Sequence, residues 1–123
     1  MSARRVLIAE DEESILASLE FMVRAAGHDA RLARDGEQAL RALAEYRPDL
    51  VLLDLMLPRR SGLEVCAAVR ADPSLASTKV LMLTARGGSG DAARGLSAGA
   101  DAYMVKPFST RELAQRMRDM LGA

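Results

Sequence analysis

Residues 48–58 read PDLVLLDLMLP, and the central aspartate of this stretch, Asp54, stands where a buried strand ends. The run from Leu50 to Leu53 is apolar without interruption, which indicates burial on both faces, as in a parallel sheet covered by helices. Three more apolar residues follow Asp54. An aspartate in a solvated loop is the alternative interpretation, but the apolar residues on both sides favour a functional carboxylate at a strand end.

The same kind of apolar run recurs along the chain, and five such runs alternate with five helical patterns. The runs lie at residues 6–9, 30–33, 50–53, 80–83 and 102–105. Arg31 interrupts the second run, so we interpret that run as an edge strand. The third helix is expected at 61–71, the fourth at 91–98, and the last begins with a predicted capping box at 109–112. Repeated strand–helix–strand units predict an α/β domain with a parallel sheet and right-handed crossovers.

Composition limits the possible functions of the 123 residues, which we expect to form one domain with no output domain after its fifth helix. The 17 basic and 17 acidic residues balance, which argues against a nucleic-acid surface as the main purpose. Cys66 is the sole cysteine and cannot form an internal disulfide, so a reducing, cytoplasmic location is expected. The N-terminal apolar run is too short for a signal peptide or for insertion into a membrane.

Polar side chains follow four of the five runs at the point where each strand ends. Glu10 and Asp11 follow the first run, Asp54 the third, Thr84 the fourth and Lys106 the fifth. Ligands of open parallel sheets bind outside the carboxyl ends of the strands, so these groups are expected to converge. Three carboxylates at one edge repel one another, and Mg²⁺ would offset that repulsion. If Asp54 attacks a phosphoryl group, Mg²⁺ and Lys106 can stabilise the developing charge.

Each of these groups also has a structural interpretation of its own. Residues 10–13 could be the acidic first turn of a helix, Thr84 a turn residue, and Lys106 a surface lysine. However, only two of the 17 basic residues are lysines, and one of them stands at a predicted strand end. A compact ammonium differs chemically from a guanidinium, so the choice indicates a specific role. The joint arrival of these groups at one edge favours a site.

Over essentially its full length the chain resembles the receiver domain of two-component response regulators. The matching segments are VLIAEDE at 6–12, PDLVLLDLMLP at 48–58, GLEV at 62–65, LTA at 83–85 and GADAYMVKPF at 99–108. All five in this order are highly specific. The resemblance implies a doubly wound, flavodoxin-like fold with five helices and a five-stranded sheet in the order 2-1-3-4-5.

The resemblance also implies a metal site and an acceptor for a phosphoryl group. Asp54 would be the phosphoacceptor. Asp11 would bind Mg²⁺ directly, Glu10 would act nearby, partly through water, and the backbone carbonyl of Met56 would complete the protein ligands. The phosphoryl donor would be a phosphohistidine on a sensor histidine kinase or a histidine phosphotransfer protein. The domain would take part in its own phosphorylation and dephosphorylation without being an enzyme that turns over a substrate.

A switch would follow from phosphorylation if the resemblance holds. Thr84 would hydrogen-bond the phosphoryl group, Lys106 would pair with it, and Tyr103 would turn inward as Thr84 moves. The surface of the fourth helix, fifth strand and fifth helix would then change its affinity for a downstream protein or output domain. The chain would be a monomer or a phosphorylation-dependent dimer, with no direct nucleic-acid partner. Arg86 would look out over the phosphate, and the glycines of residues 87–90 predict a mobile loop.

Three rival functions would each require a different set of residues from the one present. An interaction module of the same fold that works without phosphorylation would usually have lost part of the intact residue set. An aspartate-nucleophile phosphatase would need an acid where Met56 stands, and a cap that this length scarcely allows. A flavin-binding domain would need a hydroxyl-rich loop after the first strand. Arg59 and Arg60, beside the site, could attract an anionic partner or be solvated.

Overall fold

The computed structural model describes residues 3–85 and 90–122, and in this part of the chain five strands alternate with five helices. The strands are β1 Arg5–Ala9, β2 Asp29–Ala33, β3 Leu50–Asp54, β4 Lys79–Ala85 and β5 Ala102–Lys106. The helices are α1 Glu13–Ala25, α2 Gly36–Tyr46, α3 Gly62–Ala71, α4 Asp91–Ser97 and α5 Thr110–Leu121. A short 3-10 turn at Pro73–Leu75 leads from α3 towards β4.

The five strands form one parallel sheet in the order β2-β1-β3-β4-β5, which confirms the predicted fold class. The interrupted run becomes β2 and lies at the edge, as expected. Asp54 stands opposite Leu83 in the register of β3 and β4, and Ala85 stands opposite Lys106 in that of β4 and β5. The register therefore brings the carboxyl ends of the three strands to one level.

Two apolar layers cover the sheet, which explains why its central strands read as continuous apolar runs. Every residue of β3 is buried. Alternate strand residues, among them Val51, Leu53 and Met82, pack in one layer with side chains of α2 and α3. Leu52 and Leu81 belong to the other layer, with side chains of α1 and α5. The core is aliphatic, and three of the buried polar side chains, those of Glu10, Asp54 and Thr84, stand at the carboxyl ends of strands.

The predicted capping box at the start of α5 is only half present. The Ser109 hydroxyl accepts the backbone N–H of Glu112 at 3.0 Å, which caps the helix. The complete reciprocal box lies instead at α3, between Ser61 and Glu64. That box fixes the start of α3 directly after the loop that leaves β3, so it helps to hold the loop beside Asp54.

Two predictions fall outside the described residues. These are the position of Arg86 over the phosphate and the mobility of the glycine-rich segment at 87–89, and both stay predictions. Among the described residues, no helix combines the length and the apolar character needed to cross a membrane.

Cys66 is packed inside α3 with no exposed surface, and its Sγ lies 3.5 Å from the carbonyl of Ala98. Burial raises the pKa of this thiol, so little thiolate forms near neutral pH. We expect Cys66 to react with a disulfide reagent at least about a hundredfold more slowly in the native protein than in urea, because reaction requires local opening. Glutathione under both conditions is the control, and equal rates for Cys66 would contradict its burial.

Candidate functional site

The carboxyl ends of four strands bring together the side chains that the sequence predicted to converge. Asp54 and Lys106 are the last residues of β3 and β5, and Thr84 is the last but one of β4. Glu10 directly follows β1, where its backbone N–H donates to the carbonyl of Ala33. Because all these strands are parallel, their ends share one edge of the sheet, and the side chains reach it without a special loop.

Three carboxylates form a cluster at this edge. One oxygen each from Glu10, Asp11 and Asp54 can be chosen so that all three lie within 4.8 Å of one another. Glu10 and Asp54 are buried, at 1% and 6% exposure, whereas Asp11 is exposed. Both buried carboxylates accept backbone N–H groups, Glu10 from Glu12 and Asp54 from Met56, each at 3.1 Å. The cluster is therefore rigid on its inner side and open to water at Asp11.

The ammonium of Lys106 bridges the two buried carboxylates. Its Nζ donates to Oε1 of Glu10 at 2.7 Å and lies 3.3 Å from Oδ2 of Asp54. Burial raises the pKa of Glu10, with the charge of Asp54 adding to the effect and the bond from Lys106 opposing it. Desolvation lowers the pKa of Lys106, but the two carboxylates outweigh it and raise that pKa overall. Lys106 therefore stays protonated at neutral pH.

The donor set fits a magnesium ion. Every side-chain donor in the cluster is a carboxylate oxygen, which suits a hard cation, and the open side at Asp11 leaves room for waters and phosphate oxygens. One ammonium also stands against three carboxylates, so a second cation would relieve the remaining repulsion. Glu10, Asp11 and Asp54 would hold the ion. The metal-binding role predicted for the backbone carbonyl of Met56 stays a prediction. The side chain of the same residue is 69% exposed.

Thr84 and Tyr103, the predicted switch pair, lie on neighbouring strands in different surroundings. Thr84 is buried, and its hydroxyl donates to the carbonyl of Met104 on β5 at 3.4 Å. This hydroxyl thus faces β5 in the present state. Tyr103 is 39% exposed and lies on the outer surface of β5. The inward position predicted for Tyr103 after phosphorylation is not the one seen in this structure.

The sequence left open whether Arg59 would attract a partner or be solvated, and the structure pairs it within the chain. Its guanidinium lies 3.6 Å from Asp35 and 3.3 Å from Glu37, at the beginning of α2. Arg60 pairs with Glu64 one helical turn further on. Arg59 therefore connects the loop after β3 to the beginning of α2, a contact for which the sequence carries no local signal.

Comparison with known families agrees with this fold and this site. The family model described as "Response regulator receiver domain" matches residues 6–118. The chain therefore belongs to the response-regulator receiver family of two-component signal transduction. Switching that depends on phosphorylation is the general function of this family.

The chain is also similar to response regulators that are about twice its length. The DNA-binding response regulator MtrA of Mycolicibacterium smegmatis is 44% identical over 118 residues, which are 96% of this chain and 50% of that protein. The chain spans about half the length of the curated relatives that it matches. These relatives are named as DNA-binding regulators, which conflicts with the expectation, based on the balanced charge of these 123 residues, that no nucleic acid is a direct partner.

Two crystal structures are similar over almost the whole chain. One, assigned as a response regulator from Chloroflexus aurantiacus, has a TM-score of 0.94 at 34% identity, with 99% of this chain and 100% of that chain covered. The other is the receiver domain of the sensor histidine kinase PA1611 from Pseudomonas aeruginosa, with a TM-score of 0.90 at 30% identity and the same coverage. That structure has a magnesium ion coordinated in its active-site cleft.

Proposed function

We propose that Asp54 of this chain accepts a phosphoryl group from a phosphohistidine on a sensor histidine kinase or histidine phosphotransfer protein. Glu10, Asp11, Asp54 and the carbonyl of Met56 would hold Mg²⁺ beside it. One observation carries the proposal: Lys106 bridges Glu10 and Asp54 within a cluster of three carboxylates at the ends of parallel strands. A structural ion pair would not need the third carboxylate, whose exposed position leaves the site open to a ligand.

The residues of the site suit an in-line phosphoryl transfer. A carboxylate oxygen of Asp54 would form the new bond to phosphorus while the bond from phosphorus to the donor histidine nitrogen breaks. The backbone N–H of Met56 orients the Asp54 carboxylate, and Lys106 places its positive charge beside it. Mg²⁺, when bound, would neutralise charge on the transferring oxygens. Catalysis in such a site consists of positioning and electrostatics, so no further acid or base is required.

The switch would begin when the Thr84 hydroxyl leaves the carbonyl of Met104 for a phosphoryl oxygen. Phosphorylation adds charge and strong acceptor oxygens at this place, which can bias a bistable element. Tyr103 would then turn inward from its present exposed position. Leu96, Tyr103 and Val105 together expose apolar surface on α4 and β5, at 45%, 39% and 39%. This surface continues onto α5, and its affinity for partner proteins would change on phosphorylation. The chain would act as a monomer or as a phosphorylation-dependent dimer.

We infer that the chain is a signalling domain of the cytoplasm and not an enzyme with turnover of a separate substrate. Its target would be a partner protein or an output domain. The relatives named as DNA-binding regulators suggest that such an output can act on DNA. An interaction module that works without phosphorylation is the second candidate, but the set of Glu10, Asp11, Asp54 and Lys106 is complete and assembled, which favours the switch.

Intact-mass spectrometry with acetyl phosphate and Mg²⁺ tests the proposal. We expect the wild type to gain one phosphoryl group and Asp54→Asn to gain none, because the amide preserves the shape but removes the nucleophilic charge. Asp119→Asn, at an exposed position on α5, is the matched control and should be phosphorylated like the wild type. Chelation of Mg²⁺ should abolish the gain. A wild type that gains nothing, or an Asp54→Asn chain that gains as much, would contradict the proposal.

A further inference from the structure

A tight turn lies four to six residues after Asp54, and its backbone is strained. The N–H of Arg60 donates to the carbonyl of Pro58 at 2.8 Å, so only Arg59 lies between the bonded residues. Arg59 has a φ of 70°, in the left-handed region that favours glycine. A three-residue turn with this positive φ is rare, and such strain persists only where the surroundings hold it.

The beginning of α2 holds this turn through three independent contacts. The N–H of Gly36 donates to the same Pro58 carbonyl at 3.0 Å. Asp35 and Glu37, on either side of Gly36, pair with the guanidinium of Arg59. A Cβ on Gly36 would lie 2.0 Å from the carbonyl oxygen of Arg60, so the two backbones touch. We call this contact between residues 35–37 and 58–60 the α2 brace.

The braced turn belongs to the same short loop as Met56. The N–H of Gly62 closes the loop on the carbonyl of Leu55 at 2.9 Å, and the N–H of Met56 donates to the carboxylate of Asp54. Leu57 is the single residue between Met56 and Pro58, and it is buried at 7% exposure. This short, buried connection allows little independent movement of Met56 and the turn. A shift of the turn must therefore be passed on to Met56.

We propose that the α2 brace sets the magnesium affinity of the site, with Gly36 and Arg59 as positioning residues that hold the Met56 carbonyl in place. This inference rests on the proposed function, which assigns that carbonyl to the metal. The brace opposes the strain at Arg59. Without the brace the turn relaxes, and the carbonyl leaves the position that an octahedral ion with short ligand distances demands.

Two substitutions of Arg59, compared by calorimetric titration of Mg²⁺ without any phosphodonor, separate bracing from charge. Arg59→Ala removes the ion pairs but keeps the strain, and we expect it to bind Mg²⁺ about fivefold more weakly than the wild type. Arg59→Gly also removes the ion pairs, but glycine adopts this φ freely, so its affinity should stay within about twofold of the wild type. If Arg59 acted only by its charge, both variants would bind Mg²⁺ more tightly, which would overturn the proposal.

Gly36→Ala tests the backbone contact, and Gly95→Ala is its matched control. The new methyl at residue 36 must push the turn away, so we expect at least about a tenfold loss of Mg²⁺ affinity. A Cβ at Gly95, within α4, would lie 3.2 Å from Cγ of the buried Met82, a close contact that is milder than the one at Gly36 and does not involve the turn at residues 58–60, so Mg²⁺ affinity should not change. Circular dichroism and urea unfolding without Mg²⁺ show whether each variant is folded before it is titrated.

The titrations distinguish failure of the brace from failure of the metal site. If the wild type binds Mg²⁺, and folded Gly36→Ala and Arg59→Ala bind it with the same affinity as the wild type, the proposed role of the brace is overturned but the metal site is not. A wild type that binds no Mg²⁺ would overturn the proposed metal site and the brace with it. Weaker binding in these two variants, with Arg59→Gly and Gly95→Ala near the wild type, would support the brace.

Discussion

Lys106→Met should bind Mg²⁺ more tightly than the wild type and yet accept a phosphoryl group far more slowly. The substitution removes the ammonium that bridges Glu10 and Asp54, so the three carboxylates lose their internal cation. A divalent ion then meets a more negative site, and we expect its affinity to rise at least about tenfold. The ammonium is also lost from the transferring oxygens, which should slow phosphorylation by about 10²- to 10³-fold.

The free energy of unfolding of Lys106→Met should also depend on Mg²⁺. Glu10 is almost fully buried, and loss of its ion pair leaves a desolvated carboxylate, so the metal-free variant should lose about 2–4 kcal/mol. Saturating Mg²⁺ should restore most of this loss. Lys79→Met, which changes the other lysine of the chain at an exposed position, is the control and should leave all three quantities unchanged. An Mg²⁺ affinity that stays the same in Lys106→Met would show that the ammonium and the metal do not share the cluster.

The fold and the residues that form the site could be predicted from the sequence because both depend on short patterns. The apolar runs that became β1, β3 and β4 specify burial on two faces, and a parallel sheet then forces the residue after each run to one edge. Asp54 and Lys106 could thus be placed together although 52 residues separate them. The weak β2 run was also informative, since a charged residue in a strand is tolerated at an edge.

The remaining features depend on contacts that no local pattern encodes. The left-handed backbone of Arg59 lies against the beginning of α2, where Glu37 is 22 residues earlier in the chain. The start of α3 shows the same limit at shorter range: Ser61 and Glu64 have the capping-box spacing, but we assigned the box only to Ser109, where half of it forms. The direction of the Thr84 hydroxyl and the outward Tyr103 ring are rotamer choices, which packing and bound ligands decide.

Of the glycine-to-alanine substitutions beside the site, Gly62→Ala should displace the phosphoacceptor Asp54 the most. A Cβ on Gly62 would lie 2.3 Å from the carbonyl oxygen of Asp54 and 2.8 Å from the Cα of Leu55, and both are backbone atoms. Neither can yield easily, because the N–H of Leu55 donates to the carbonyl of Leu83 at 3.0 Å and so ties this segment to β4. We expect a loss of about 2–3 kcal/mol in the free energy of unfolding, as for an overpacked core.

The same methyl group should also slow phosphorylation, since the end of β3 must move or the start of α3 must leave Leu55. A shift of about 1 Å at Asp54 would lower the rate about a hundredfold. Urea unfolding and the rate of mass gain from acetyl phosphate measure the two effects, with Gly95→Ala as the control. A folded Gly62→Ala chain phosphorylated at the wild-type rate would mean that the start of α3 yields and that Asp54 is held by the sheet alone. The expected result, slower phosphorylation in a chain that still folds, would show that the close packing of α3 against Asp54 positions the nucleophile.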